Sequence, residues 1–168
     1  NIISRINHPA TLKFIGYSPV NFDNKAKPII VNEFFPFDSL EFYEPLNESG
    51  YFTKKIDNTR KIIILFGVAS GMSYLHSHNI IHRDLKLSNI VLDIYSHPKI
   101  KGFNISKEIK EELNEKNETI KGTPAYIAPE VYLHEGYSKA SDVYSFSLIM
   151  YELLTEEIPY KDLKDPNE

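Results

Sequence analysis

Apolar residues gather first in short runs along this chain and only later in long ones. Leu12 to Tyr17 and Pro28 to Glu33 are brief apolar stretches separated by the polar Ser18 to Lys27, which contains Pro, Asn and Asp; the pattern predicts two strands joined by a hairpin-like loop. From Asp57 to Ser77 the period changes. Ile62, Leu65, Phe66, Ala69, Met72 and Leu75 recur at helical spacing and predict a long core-facing helix with Asn58 or Thr59 as its N-cap. Asn79 to Ile81, Ile90 to Leu92 and Lys99 to Phe103 then read as short strands around a polar stretch, His82 to Asn89. Ser106 to Lys121 is almost entirely Lys, Glu, Asn and Thr, with Ile109, Leu113 and Ile120 its apolar residues, and reads as a mobile loop. Asp142 to Leu154 predicts a second apolar helix with Asp142 near its start. Strands come first and helix dominates later, an α+β layout without internal repeats.

Composition narrows the function classes. With 168 residues, 42% hydrophobic and 25% charged, the chain suits one domain with a buried core. Nineteen Lys plus Arg against 23 Asp plus Glu give a net charge of -4, without the basic footprint of a nucleic-acid binder. The absence of cysteine removes disulfides, thiolate metal sites and thiol nucleophiles, and fits an intracellular, cytoplasmic location. Ile62 to Leu75 is too short to span a bilayer and carries Gly67, Ser70, Gly71 and Ser73, so it reads as a helix of a soluble protein. His8, His76, His78, His97 and His134 show no metal-ligand spacing. The chain starts Asn1-Ile2-Ile3 without Met and stops just after an apolar helix, so both ends read as cut.

The chemistry concentrates in His82-Arg83-Asp84-Leu85-Lys86-Leu87-Ser88-Asn89, which packs His, Arg, Asp, Lys and Asn between β-branched apolar flanks. Such groups cost several kcal/mol, roughly, if buried unpaired, so they must pair with one another or with a ligand. On residue chemistry alone, Asp84 and Asn89 could share a hard cation through oxygen.

This stretch resembles the catalytic loop of eukaryotic protein kinases, H-R-D-L-x-x-x-N, at every specified position. Ala128-Pro129-Glu130 looks like the motif that closes the activation segment, and Asp142-Val143-Tyr144-Ser145-Phe146 like the opening of the helix that anchors the loop. Asn7-His8-Pro9 before Leu12 to Gly16 is similar to the turn between the αC helix and the fourth strand. Ile29 to Leu40 is similar to the fifth strand and hinge, with Asn32 as gatekeeper. The resemblance implies a kinase-like α+β fold divided at 1–33 (end of αC, strands 4 and 5), 34–38 (hinge) and 39–168 (helical C-lobe). It implies ATP and Mg2+ as cofactors and a protein as substrate or signalling partner. Asp84 would receive the proton of the substrate hydroxyl, Lys86 would meet the transferred phosphate, and Asn89 would hold the metal and brace Asp84. Glu33, Phe34 and Phe35 would present backbone to adenine above Val91 as floor. Arg83 would pair with a phosphate on the activation segment, where Ser106, Thr119 and Thr123 offer hydroxyls and Thr119 is best placed. His82 would pack beneath the loop, and Asp142 would hydrogen-bond its backbone. Lys86 together with Gly122-Thr123-Pro124 looks like the Ser/Thr-directed version, within the tyrosine-kinase-like group.

One motif departs from the pattern. Where the kinase metal motif D-F-G belongs, this chain reads Gly102-Phe103-Asn104. The carboxylate that grips magnesium is missing, while the packing role of Phe103 is retained. Weakened metal binding is therefore expected, a pseudokinase acting as a binding or scaffolding module is the alternative, and Gly102→Asp should raise magnesium-dependent turnover. The glycine-rich loop, the strand Lys and the αC Glu are expected upstream of residue 1. Glu130 is expected without its usual Arg, and the isolated 168 residues should be marginally stable. Phe34 to Phe37 forms the one aromatic cluster suited to a partner.

Overall fold

The computed structural model describes residues 2–35, 39–40, 56–109 and 119–161. The chain enters through a single 3-10 turn, Ile3–Arg5, and reaches a hairpin of β1 (Phe14–Ser18) and β2 (Ile29–Asn32). The two strands are antiparallel, with Tyr17 opposite Ile30 and a register shift between Phe14 and Gly16. Asn21 shapes the connection: its Oδ1 accepts the amides of Asp23 and Lys25, an Asx turn that bends the chain without help from glycine.

Helix α1 (Asn58–Ser77) is the axis of the core. Its N-cap is Asp57, whose carboxylate accepts the Arg60 amide at 3.0 Å, rather than Asn58 or Thr59. The buried face also differs from the expected stripe. Lys61, Ile64, Leu65, Val68, Gly71, Met72 and Leu75 face inward, whereas Ile62 and Phe66 lie in solvent. The helix is apolar nearly all round, so spacing alone leaves its orientation open; the glycines decide it. A Cβ at Gly67 would stand 2.4 Å from Pro98 Cγ, and one at Gly71 would stand 2.8 Å from Ile100 Cδ1 and 3.2 Å from Ala10. The glycine side of the helix is thus the side a strand can approach, and β5 (Pro98–Ile100) takes it.

After α1 come β3 (Ile80–Ile81), a 3-10 turn at Leu87–Asn89, β4 (Ile90–Leu92), which pairs with β5, and a second 3-10 turn at Phe103–Ile105. The expected strand over Lys99 to Phe103 therefore stops at Ile100, because Gly102 turns left-handed at φ 87°. Lys107–Glu108, expected to be loop, forms β6 and pairs antiparallel with Ile80–Ile81. The short α2 (Pro129–Tyr132) precedes α3 (Lys139–Thr155). Helix α3 starts at Lys139 because Ser138 and Ser141 form a reciprocal capping box. It packs on α1 through Ile149 and Leu153, and buried Lys61 reaches Glu156 at its end at 2.7 Å. No helix among the described residues is long and apolar enough to cross a membrane.

Candidate functional site

The polar loop begins where β3 ends, and it is held from behind before any ligand is considered. Asp142, buried on the first turns of α3, accepts the amide of His82 at 2.8 Å, the amide of Arg83 at 2.9 Å and a bond from His76 Nε2 at 2.9 Å. Arg83 stands at φ 68°, a left-handed conformation that costs about 1–3 kcal/mol in a non-glycine residue. Both amides around that bend point at one carboxylate, so the clamp offsets the strain.

His82 has no accessible surface. Its Nε2 donates to the Lys101 carbonyl at 2.9 Å and its Nδ1 accepts the Asp84 amide at 3.2 Å, an arrangement that the neutral ring satisfies completely. Burial outweighs the attraction of Asp142 and Asp84 and pushes the His82 pKa below its ordinary value. Phe103 is buried edge-on against this ring, centroids 5.1 Å apart. The loop is thereby keyed to the segment after β5.

Ahead of this support stand the reactive groups. Asp84 Oδ1 accepts the Thr123 hydroxyl at 2.8 Å, and Lys86 Nζ donates to the same hydroxyl oxygen at 2.7 Å. Lys86 Nζ lies 3.8 Å from Asp84 Oδ1. Asn89 Nδ2 donates to Asp84 Oδ2 at 3.0 Å and to the Asp84 carbonyl at 2.7 Å, orienting the carboxylate from the other side. A hydroxyl held between a carboxylate and an ammonium is the arrangement that proton removal and phosphate stabilisation both require.

Thr123 is therefore misplaced as a phosphate acceptor for Arg83: its hydroxyl is bound between Asp84 and Lys86. Arg83 is turned the other way, donating from Nε to the Ile105 carbonyl at 2.6 Å with its guanidinium 4.9 Å from the centre of the Tyr137 ring. The Tyr137 hydroxyl in turn binds both the amide and the carbonyl of Lys121. Thr119 is exposed, and Ser106 donates to the His82 carbonyl at 3.1 Å. Among the described residues no side chain pairs with the Glu130 carboxylate.

Toward the hinge, Val91 is buried on β4 and bridged by backbone to Ser39, beside buried Leu40. The Glu33 amide donates to the Lys13 carbonyl at 2.9 Å, while its carboxylate accepts the Lys13 amide at 2.7 Å and lies 3.8 Å from Lys99 Nζ. Phe34 is 86% exposed, and the Phe35 ring lies 5.9 Å from Lys99 Nζ. Asn32 Oδ1 is buried and makes no hydrogen bond. Residues 36–38 of the expected hinge, Phe37 among them, lie outside the described residues.

The metal end is the poorest part of the site. A Cβ built at Gly102 would lie 2.6 Å from Asn89 Cγ and Oδ1 and 2.7 Å from Nδ2. The carboxamide stands where a side chain at 102 would begin, so Gly102→Asp requires the end of the Asn89 side chain to shift. Among the described residues no three His, Cys, Asp or Glu side chains converge as a metal site. One amide oxygen does not make the carboxylate-bearing oxygen set that a magnesium ion prefers, and the residues present do not fit a tightly held metal.

Two contacts escape sequence reasoning. His76 meets Asp142 across 66 positions, and Thr123 meets Asp84 across 39; no spacing signal connects either pair.

Comparison with known proteins agrees with this geometry. The model of the family described as protein kinase domain matches residues 1–168. The chain is 37% identical over 168 residues to a probable serine/threonine-protein kinase of Dictyostelium discoideum, covering 99% of the chain and 12% of that protein. It is 38% identical over 159 residues to cysteine-rich receptor-like protein kinase 25 of Arabidopsis thaliana, covering 92% of the chain and 22% of the relative. Over 97 residues, 58% of the chain and 10% of the relative, it is 46% identical to mitogen-activated protein kinase kinase kinase 13 of Pongo abelii. The chain therefore spans less than a quarter of the length of these relatives. With the polar loop, its clamp and a full-length family match in agreement, the chain belongs to the protein kinase domain family.

Proposed function

We propose that this domain transfers the γ-phosphate of ATP to serine or threonine hydroxyls of a protein substrate, in an intracellular, cytoplasmic setting and as part of the tyrosine-kinase-like group. The observation that carries this reading is the Thr123 hydroxyl between Asp84 and Lys86. A hydroxyl of the substrate's own class already satisfies both groups there. Asp84 orients the attacking hydroxyl and accepts its proton; Lys86 neutralises charge on the moving phosphate; Asn89 fixes the Asp84 carboxylate. Residues 1–33, 34–38 and 39–168 serve as the end of the N-lobe, the hinge and the C-lobe. The Glu33 amide is committed to Lys13, so adenine recognition falls to the Glu33 carbonyl and the backbone of Phe34 and Phe35, above Val91. Magnesium is the metal such nucleotides carry, and the protein side of its site does not fit a tightly held ion.

The test is phosphotransfer from ATP to a generic Ser/Thr substrate by the complete protein and by Asp84→Asn. Loss of a general base lowers turnover by about 100- to 10,000-fold. Equal background in both proteins selects the second reading, a nucleotide-binding or scaffolding module, which the glycine at position 102 favours.

A further inference from the structure

Among the described residues, Asn32 Oδ1 is the one buried side-chain nitrogen or oxygen without a hydrogen-bond partner. Such an orphan acceptor weakens the ligand-free fold, because folding strips its water and returns no bond. Backbone pairing says where it stands. Asn32 ends β2 directly opposite Phe14, and opposed residues of an antiparallel pair share one face. Phe14 packs against the main core, so the Asn32 side chain lies on the inward face of the hairpin.

The next residue leaves a second acceptor unengaged by the ladder. The Glu33 amide donates to the Lys13 carbonyl, but the Lys13 amide goes to the Glu33 carboxylate at 2.7 Å and not to the Glu33 carbonyl. The same carboxylate lies 3.8 Å from Lys99 Nζ, and Lys99 pairs with Val91 across β4 and β5, so the end of β2 is tied to the strand that carries Val91. Two acceptor oxygens on consecutive residues suit a ligand nitrogen that offers two hydrogens. The 6-amino group of adenine is such a donor, whereas a 6-oxopurine presents an acceptor at that position. We infer that Asn32 is a base-reading residue: its Oδ1 takes one hydrogen of the 6-amino group, the Glu33 carbonyl takes the other, and the site selects 6-aminopurine over 6-oxopurine nucleotides. This inference rests on the nucleotide-site reading above and deepens it.

Isothermal titration of the complete protein and of its Asn32→Leu variant with ATP and with inosine triphosphate, its 6-oxo counterpart, decides it. Leu keeps the branched outline of Asn without a polar atom. The parent is expected to bind ATP more tightly than inosine triphosphate, and Asn32→Leu to weaken ATP by about two- to tenfold without weakening inosine triphosphate. Thermal melts without nucleotide supply a readout that a structural role would move the other way. The variant is expected to melt no lower than the parent, since no bond within the protein is lost. A lower melt shows that Oδ1 has a partner inside the protein and overturns the inference. So does unchanged ATP affinity, equal weakening of both nucleotides, or a parent that prefers inosine triphosphate; each leaves the nucleotide site standing. A parent that binds neither nucleotide overturns the nucleotide-site reading itself, so the two failures are distinguishable.

Discussion

The two ends of the polar loop are built to opposite specifications. At one end Asp84, Lys86 and Thr123 form a complementary group in which carboxylate, ammonium and hydroxyl each answer another. At the other, Asn89 leans on a glycine and no second carboxylate faces it. The support behind them is common to both: Asp142 holds the bend at Arg83, and His82 links it to Lys101 and Phe103. The Asp142 clamp makes no contact with residue 102, whereas Asn89, which orients the Asp84 carboxylate, lies against it.

The largest perturbation removes that common support. Asp142→Ala leaves two amides at a strained bend and the His76 ring without their acceptor, and is expected to cost about 3–5 kcal/mol in urea unfolding. A loss below about 1 kcal/mol would mean that the loop holds its own shape. Thr123→Val strikes only the proton-handling end. It removes hydrogen bonds to two charged groups, worth about 1.5–3 kcal/mol each at most and less at these partly exposed side chains. Turnover should fall while ATP affinity is unchanged; a parallel loss of ATP binding would show that the two ends are coupled after all.

Gly67→Ala strikes neither end but the packing of α1 on β5. The added methyl meets the Pro98 ring, and a destabilisation of about 1–3 kcal/mol is expected. The nucleotide Kd should not change, which calorimetry can check. The smallest effect is on pH dependence. Burial holds the His82 pKa below its ordinary value, so the unfolded chain binds the proton more readily than the folded one. Stability is then complete above about pH 6.5 and declines as pH falls toward the folded pKa, with a slope of at most about 1.4 kcal/mol per pH unit for this group. His8 is shifted the same way, chiefly by burial and also by Lys99, and adds to the slope. Urea midpoints that stay flat between pH 7 and pH 5 would contradict the neutral, buried ring.

Much of this was legible in the chain, and the reasons are local. His82 to Asn89 stands out because polar chemistry is crowded between apolar flanks, and the two long helices because their spacing is sustained. The family model that matches residues 1–168 agrees with the resemblance the loop carries. What escaped depends on contacts that spacing does not encode. The face of α1 was read from its bulky residues, yet Gly67 and Gly71 set it. Lys107 and Glu108 carry no alternation, so their pairing with Ile80 and Ile81 follows from backbone proximity alone. Arg83 reaches the Ile105 carbonyl and the Tyr137 ring, across 22 and 54 positions that no motif joins. The Asn89 carboxamide could not be placed without knowing the backbone angle of Gly102.

The Asp142 clamp also sets an order of events in synthesis. Asp142 lies 60 residues beyond the His82 amide it receives. At roughly 5–20 residues per second, the ribosome delivers the loop roughly 3–12 seconds before it delivers the carboxylate that holds the bend. Throughout that interval the left-handed turn at Arg83 has no acceptor for its amides, and Asp84 has no fixed direction. The site of this domain is thus assembled late, in the step that docks α3 on α1, and a pause in translation between the two elements would lengthen the life of a nascent chain whose reactive loop is complete in sequence and unformed in shape.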